Sequence, residues 1–214
     1  LSTIDETVTD IDGNVYKTVK IGDQTWMAEN LKVTHYRNGD PIPTGFSDEE
    51  WASLNVGAYC FYDDDPSNLK VYGNLYNWYA IEDDRGVCPD GFHVPSNKEW
   101  MELVRHLGLT FEFDDFGDIG TDQGSQLAGN ADLWNSGCLK KTSVFGSSGF
   151  NALPGGYRGF CGSYSTIGSF GLFWSSTASF SSVAWLYTFN CNDLSVGKSS
   201  EYMRSGYSIR CVKD

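Results

Sequence analysis

One stretch, residues 88–108, constrains the fold of this chain more than any other. Ser96 and Glu99 have the spacing of a capping box, in which each side chain satisfies a free backbone N–H at the start of a helix. After this cap, apolar residues recur at helical spacing: Trp100, Leu103, Val104 and Leu107. Gly108 ends the run. The pattern predicts an amphipathic helix of about three turns, with Cys88 just before it.

The bulk composition indicates a globular, loop-rich protein that does not bind nucleic acid. Aromatic residues make up 15% of the 214 residues and 24 residues are glycine, which favours short strands whose large rings fill the core. The formal net charge is −13, whereas a nucleic-acid partner needs a basic surface. The acidity is compatible with a bound cation, although a solvated acidic surface explains it more simply.

The cysteines favour an oxidising compartment. None of the six forms a Cys-x-x-Cys pair, so a zinc site is not indicated and disulfides fit better. We see no apolar run long enough to span a membrane. The chain begins at Leu1, so we expect a processed or trimmed N-terminus, and the missing signal peptide does not indicate the cytoplasm.

Turn and strand signals predict a β-hairpin at the N-terminus. Strand-forming residues flank Asp12 and Gly13, and Asp-Gly is one of the dipeptides that favour a tight hairpin turn. Residues 24–31 predict a third strand. We find no linker, and we therefore expect a single domain over residues 1–214, with residues 1–35 as a hairpin extension integrated into it.

Helical and loop signals alternate along the rest of the chain. Ser47 is expected to cap a short helix, and residues 72–81 have a helical pattern. Residues 110–124 are acidic and contain several glycines, which predicts a loop. Residues 146–214 are rich in glycine, serine and aromatic residues, and predict short strands without a helix. The last of these strands is expected at residues 207–212.

Eight motifs recur in order along the chain, at residues 12–16, 24–31, 59–60, 72–80, 88–95, 149–158, 173–177 and 208–212. In this order they closely resemble the Fibrobacter succinogenes major paralogous domain family. Together they cover nearly the whole chain, and the ordered set is far more specific than any one motif.

This resemblance implies an α+β, C-type-lectin-like fold, with short twisted antiparallel strands, one or two main helices and long loops. It also implies a secreted or surface-anchored bacterial protein, often from gut Bacteroidetes, for which a lipoprotein anchor is one form of attachment. The family is related in architecture to formylglycine-generating enzymes, but it has no established reaction.

The resemblance also bears on the cysteines. Cys88 and Cys211 occupy the places where the lectin fold ties its ends together, which implies a disulfide between them. A second pair, Cys161 with Cys191, is a further hypothesis, and Cys60 among aromatic residues reads as a buried free thiol. Formylglycine-generating enzymes use a reactive cysteine pair, but no cationic motif that would activate a thiol accompanies these cysteines.

Residues 173–205 fall where some lectin-fold proteins, the targets of diversity-generating retroelements, are hypervariable. Residues 190–201 look like an irregular, polar part of this region. Strand alternation places Trp185, Tyr187 and Phe189 toward the core. The predicted binding surface comprises Phe173, Leu186, Thr188, Asn190, Asp193, Ser199, Glu201, Tyr202 and Arg204. Residues of these types form adaptable binding surfaces, although an ordinary polar surface has the same composition.

Acidic loops supply candidate calcium ligands, because Ca²⁺ prefers clustered oxygen atoms. The candidates are Asp63, Asp65, Asp114 and Asp118. Neither loop has the EF-hand spacing, and solvated loop carboxylates are the alternative. We expect no other cofactor.

Three functional hypotheses follow. The first is a non-enzymatic binding protein for a cell-surface protein or glycan, with a rigid scaffold presenting the predicted surface. The second is a structural or adhesive subunit of a bacterial surface assembly. The third, an oxidase related to formylglycine-generating enzymes, has the weakest support, because no motif that would lower a thiol pKa accompanies the cysteines. A Ser-His-Asp arrangement or an HExxH motif, which would indicate other enzyme classes, is not visible either.

Overall fold

The computed structural model describes residues 6–109 and 116–214. Its strands are β1 (Thr7–Thr9), β2 (Val15–Ile21), β3 (Gln24–Met27), β4 (Tyr59–Cys60), β5 (Leu75–Tyr76), β6 (Phe92–His93), β7 (Gly117–Ile119), β8 (Tyr157–Arg158), β9 (Tyr164–Ser165), β10 (Phe170–Phe180), β11 (Val183–Asn190), β12 (Val196–Tyr202) and β13 (Val212–Lys213). Its α-helices are α1 (Asp48–Ala52), α2 (Pro66–Tyr72), α3 (Trp78–Glu82), α4 (Asn97–His106) and α5 (Gln123–Leu127). Short 3₁₀ helices lie at Tyr62–Asp64, Ala131–Leu133 and Leu139–Lys141.

These elements form two main antiparallel sheets and confirm an α+β class. The first sheet has the order β1-β2-β3-β13-β6 and the second has the order β10-β11-β12-β7. Two small hairpin-like pairs, β4 with β5 and β8 with β9, lie outside them. Because β13 inserts between β3 and β6, the C-terminal end of the chain is held beside the N-terminal hairpin.

The helix predicted from the capping box is confirmed as α4. The Ser96 hydroxyl accepts from the Glu99 backbone N–H, and the Glu99 carboxylate accepts from the Ser96 backbone N–H. The helix buries its apolar face, and Trp100 stacks on Tyr187 of β11 with ring centroids 4.7 Å apart. Trp26 of β3 lies 5.1 Å from Trp100 on another side. The helix thus packs between the two sheets and joins them through aromatic contacts.

Two other local predictions are confirmed. Gly13 adopts a φ of 84° in the turn between β1 and β2, a conformation that glycine reaches without steric cost. Ser47 caps α1 through a capping box with Glu50. Such signals are reliable here because each depends on a few neighbouring residues.

In two segments, tertiary contacts determine the secondary structure, and there the structure differs from the sequence prediction. Residues 72–81 are not one helix, because the chain turns at Gly73, passes through β5 and starts α3 at the Asn77 cap. A Cβ on Gly73 would lie 2.8 Å from the Leu31 carbonyl oxygen, so the backbone of residues 72–74 is fitted against a neighbouring loop. In the predicted loop at residues 110–124, residues 117–119 form β7, and residues 110–115 lie outside the described ranges.

The C-terminal region is more regular than predicted. The strands β10, β11 and β12 have 11, 8 and 7 residues. Residues 196–201 of the segment that looked irregular belong to β12, and Val196 is fully buried. The strand predicted at residues 207–212 is reduced to β13 and to isolated bridges at Tyr207 and Ser208. Short pairings with four different elements, β5, β10, β3 and β6, therefore replace one continuous strand.

His93, at the end of β6, makes a pH-dependent contribution to the stability of the fold. Its ring nitrogens lie 2.7 Å from Asp214 Oδ1 and 2.7 Å from Glu99 Oε1. Burial acts to lower the His93 pKa, but the hydrogen bonds to Asp214 and Glu99 outweigh it, and the pKa is raised above its ordinary 6.5. The protonated ring therefore stabilises the folded state below about pH 6.5, and this contribution is lost as the pH rises through the folded pKa.

We expect the stability difference between the wild type and His93→Gln to shrink as the pH rises from about 5.5 to 9. The difference should stay below about 1 kcal/mol, because the ring is partly exposed and screened by solvent. Urea unfolding across this range measures it. His106→Gln, at an exposed position on the same helix, is the control and should show little change with pH. A difference that grows with pH would contradict the assignment.

Candidate functional site

Strands β10, β11 and β12 have two differently covered faces. Phe173 and Tyr187 form a cross-strand pair that points into the main core. Alternation puts the next pairs, Leu172 with Thr188 and Leu186 with Ser199, on the other face. That face is only partly covered, and its open part is concave.

We call this open part the sheet groove. It consists of two adjoining concavities of about 480 and 370 Å³ that share Phe170, Thr188 and Ser199. The larger concavity is also lined by Tyr157, Phe160, Leu186, Glu201 and Tyr207. The smaller one is also lined by Asp118, Asn190, Asp193 and Lys198. Volumes of this size suit a small ligand or one projecting group of a larger one.

Aromatic rings line the larger concavity and its rim. Tyr157 and Tyr207 lie with ring centroids 5.5 Å apart. At the rim, Phe160 and Tyr202 lie 4.7 Å apart, and these two side chains are 44% and 50% exposed. Exposed rings that touch one another present a continuous apolar surface, which is a common feature of binding sites.

Glu201 is the carboxylate in the lining of the larger concavity. It is half-buried, and desolvation raises its pKa. Within residues 6–109 and 116–214, no side chain or backbone group donates a hydrogen bond to its carboxylate. The Glu201 charge in turn contributes to the raised pKa of Tyr207, for which burial is the larger cause. A carboxylate that has lost water without gaining a partner favours a ligand that donates hydrogen bonds or carries positive charge.

The structure brings most of the predicted binding residues together. The groove is lined by Leu186, Thr188, Asn190, Asp193, Ser199 and Glu201. Leu186 contributes only a small area, because it is 1% exposed and packs in a cluster with Trp174. Tyr202 lies at the rim. The aromatic lining from Tyr157, Phe160 and Phe170 was missed, because these residues precede the region singled out in the sequence.

Two predicted binding residues do not belong to the groove. Phe173 is fully buried, because its pairing with Tyr187 fixes it on the core face; Leu172 and Phe170 occupy the groove face instead. Arg204 follows the end of β12, and its guanidinium donates to the Ala52 carbonyl oxygen at 2.9 Å. Sequence alternation was ambiguous at Phe173 because β10 carries apolar residues on both faces.

Two of the cysteines form a disulfide and the other four are free thiols. Cys88 and Cys211 form a disulfide. The hypothesised Cys161–Cys191 pair is wrong, since both are free: Cys161 lies in an exposed turn after β8, and Cys191 is buried in the main core. Burial raises the pKa of Cys60 to about 12, so this thiol stays protonated and unreactive at neutral pH.

The calcium candidates are scattered. Asp63 and Asp65 are exposed, and Asp65 caps α2 by accepting from the Ser67 N–H. Asp118 lies in the wall of the sheet groove, and Asp114 lies outside the described residues. Across the described ranges, no three His, Cys, Asp or Glu side chains converge in a way that would hold a metal ion.

Comparison with known proteins identifies one family. The model of the Fibrobacter succinogenes major domain matches residues 19–213. Among curated proteins and among solved structures, none matches the sequence. In the described part of the chain, every helix is too short or too polar to cross a lipid bilayer.

Proposed function

We propose that this chain, which belongs to the Fibrobacter succinogenes major domain family, is a non-enzymatic binding protein that takes its ligand in the sheet groove. The observation that carries the proposal is Glu201, a half-buried carboxylate without a partner among the described residues, set in an aromatic-lined concavity. Buried charges are normally paired, so the ligand supplies the missing partner.

A glycan fits this chemistry best, and a protein ligand is the second candidate. Sugar rings have apolar C–H faces that pack on Tyr157 and Phe160, and hydroxyl groups that donate to Glu201. The concave shape favours such a compact ligand over a flat protein surface. A protein would instead insert a lysine or arginine side chain, which pairs with Glu201 and stacks on the same rings.

Several features support an extracellular binding protein with a C-type-lectin-like fold. The Cys88–Cys211 disulfide suits an oxidising compartment. It lies beside the sheet that carries both the N-terminal hairpin and β13, which resembles the way the lectin fold closes on itself. The rigid core under the groove also favours preorganised binding. Secretion or display on the cell surface, including through a lipoprotein anchor, belongs to the same proposal.

A binding role is better supported than an oxidase. An oxidase of the formylglycine-generating kind needs two reactive cysteines close together, whereas Cys161 is exposed and Cys191 is buried in the core. The histidines His35 and His93 are both hydrogen-bonded to carboxylates, and their positions away from the groove suit structural roles.

We also propose that the amino-acid sequence of the groove varies between related strains. Thr188, Asn190, Ser199 and Glu201 project from the uncovered face of strands whose other face holds the core, so their side chains can vary while the backbone stays fixed. Sequencing the locus in related strains should show substitutions concentrated at these four positions. Uniform variation over residues 173–205, including Phe173 and Tyr187, would count against diversification.

Filling the groove should weaken glycan binding. We expect Ser199→Trp to weaken glycan binding by about tenfold or more, because the indole would occupy the space shared by both concavities. Glu201→Gln should also weaken binding about tenfold, because the charged acceptor is lost while the shape is kept. An array of neutral and acidic glycans, followed by titration of the wild-type hits, measures both effects.

Ser182→Trp, in the exposed turn between β10 and β11, is the control for added aromatic surface and should bind as the wild type does. If the glycans bound by the wild type are bound equally by both groove variants, the groove is not the binding site. If the wild type binds no glycan, but binds intact cells in a way that Glu201→Gln reduces, the protein-ligand alternative is favoured.

A further inference from the structure

A second cavity has a charge opposite to that of the chain as a whole. Its volume is about 810 Å³, and it shares no lining residue with the sheet groove. Three lysines line it: Lys17 from β2, Lys32 from the segment after β3, and Lys70 from α2. We call it the lysine cavity. Lysines from three separate elements meet here, so the arrangement is a product of the tertiary fold.

The excess of positive charge is unexpected for this composition. The chain has 28 acidic and 15 basic residues, so a random patch of surface carries more carboxylates than ammonium groups. The lysine cavity reverses this ratio, because Glu29 is its single acidic lining residue against three lysines. A concave site with charges of one sign concentrates counter-ions.

Glu29 is already engaged within the protein. Its Oε1 accepts from the backbone N–H of Lys17 at 3.1 Å, and its Oε2 lies 3.6 Å from Lys32 Nζ. In the described ranges, neither Lys17 nor Lys70 has a carboxylate within ion-pair distance of its ammonium group. The one carboxylate is thus engaged with Lys32 and Lys17 N–H, and two lysines of the lining, Lys17 and Lys70, have no ion-pair partner among the described residues.

A buried arginine adds positive charge behind the cavity wall. Asn30 and Asn151 line the cavity, and Arg210 donates directly to both: Nε to Asn30 Oδ1 at 2.7 Å and Nη2 to the Asn151 carbonyl oxygen at 2.6 Å. Arg210 is fully buried; no described carboxylate lies within ion-pair distance of it, and Glu29 attracts it from farther away. The Arg210 charge is poorly screened by water, so it adds to the positive potential on the cavity side.

We propose that the lysine cavity binds a compact ligand carrying two or more anionic groups, such as carboxylate, sulfate or phosphate. The three lysines come from different elements of the fold, which suits a ligand with several anionic groups better than one small ion. The volume suits a ligand of disaccharide size. Acidic sugars and phosphorylated metabolites share this chemistry. The site is independent of the sheet groove, so the two proposals fail separately.

Titration with a sulfated heparin disaccharide tests the proposal, with lactose as the neutral probe and inorganic phosphate as the simple anion. At about 50 mM salt, where screening is weak, we expect the disaccharide to bind and lactose not to bind. The triple variant Lys17→Glu, Lys32→Glu, Lys70→Glu should bind at least about tenfold more weakly. The milder glutamine triple at the same positions should show a smaller loss in the same direction.

The matched control is Lys20→Glu, Lys98→Glu, Lys141→Glu. It changes the net charge equally at three exposed lysines outside the cavity, and it should keep the wild-type affinity within about twofold. Ser199→Trp in the sheet groove should also keep it. Competition by millimolar phosphate would identify phosphorylated ligands as one source of the anion.

Two results would overturn the proposal. One is that neither the disaccharide nor phosphate binds the wild-type protein at low salt. The other is that the cavity and control triples lose affinity equally, which would mean that net charge alone attracts the anion.

Discussion

Replacing both Cys88 and Cys211 with alanine should lower the free energy of unfolding by about 5 kcal/mol. The two cysteines are 123 residues apart in sequence, and in the chain-entropy model the benefit of a cross-link grows with the logarithm of the loop it closes. Without the disulfide, the unfolded chain gains freedom over more than half its length. Both side chains are buried, so their truncation adds a small packing loss.

Guanidinium unfolding of the oxidised wild type, the reduced wild type and the double variant measures this effect. The reduced wild type and the double variant should unfold at similar denaturant concentrations, both well below the oxidised protein. Cys138→Ala is the control, because Cys138 is free and exposed. A loss under about 1 kcal/mol would mean that β13 is held by its strand pairing alone.

The disulfide also matters for the proposed binding site. Residues 203–211 run from the end of β12 to Cys211, and Met203 and Tyr207 of this segment pack against the groove face of β10 and β11. Cys211 fixes the far end of the segment to Cys88, in the segment before β6. Reduction should therefore loosen the groove floor as well as the first sheet, and lower ligand affinity before the whole chain unfolds.

The features predicted from sequence are those encoded by neighbouring residues. The α4 capping box requires only Ser96 and Glu99, and the first hairpin requires a turn at Gly13 between two alternating runs. The α+β class also follows from such signals, because it depends on the presence of helices and strands and not on their arrangement. Local chemistry determined these elements, and tertiary contacts did not override it.

The features missed from sequence depend on which segments meet. Phe173 was placed on the wrong face because both faces of β10 are apolar, so periodicity does not fix its direction. Pairing of Cys161 with Cys191 was predicted wrongly because the spacing of cysteines in the sequence does not give the distance between them in the fold. The lysine cavity could not be predicted at all, since Lys17, Lys32 and Lys70 are isolated in sequence and meet only in the fold. By contrast, five polar groove residues on β11, β12 and the turn between them were found, because they lie within one short segment.

Replacing Arg210 with methionine should lower the free energy of unfolding by about 3–5 kcal/mol. The guanidinium is fully buried and donates to four acceptors: Asn30 Oδ1 and the carbonyl oxygens of Met27, Phe150 and Asn151. These acceptors belong to the end of β3 and to the loop before β8, so one side chain joins two distant segments. Burial lowers the Arg210 pKa to about 9, which leaves the group charged at neutral pH.

Methionine is the informative replacement because it keeps an unbranched apolar stem while removing every donor. The loss of packing against Phe150 and Phe173, whose ring centroids lie 4.7 and 5.5 Å from the guanidinium carbon, is thereby kept small. What remains is the cost of leaving these acceptors without their donor. Urea unfolding at neutral pH measures it, with the exposed Arg105→Met on α4 as the control.

Arg210→Lys separates charge from geometry. A lysine keeps the positive charge, but its single ammonium group cannot reach acceptors that lie in the plane of a guanidinium fork. We therefore expect it to lose nearly as much stability as methionine. If lysine were as stable as the wild type, the charge alone would hold the two segments. If methionine lost less than about 1 kcal/mol, the acceptors would have found other donors, and the fork would not be what holds the loop before β8 to the end of β3.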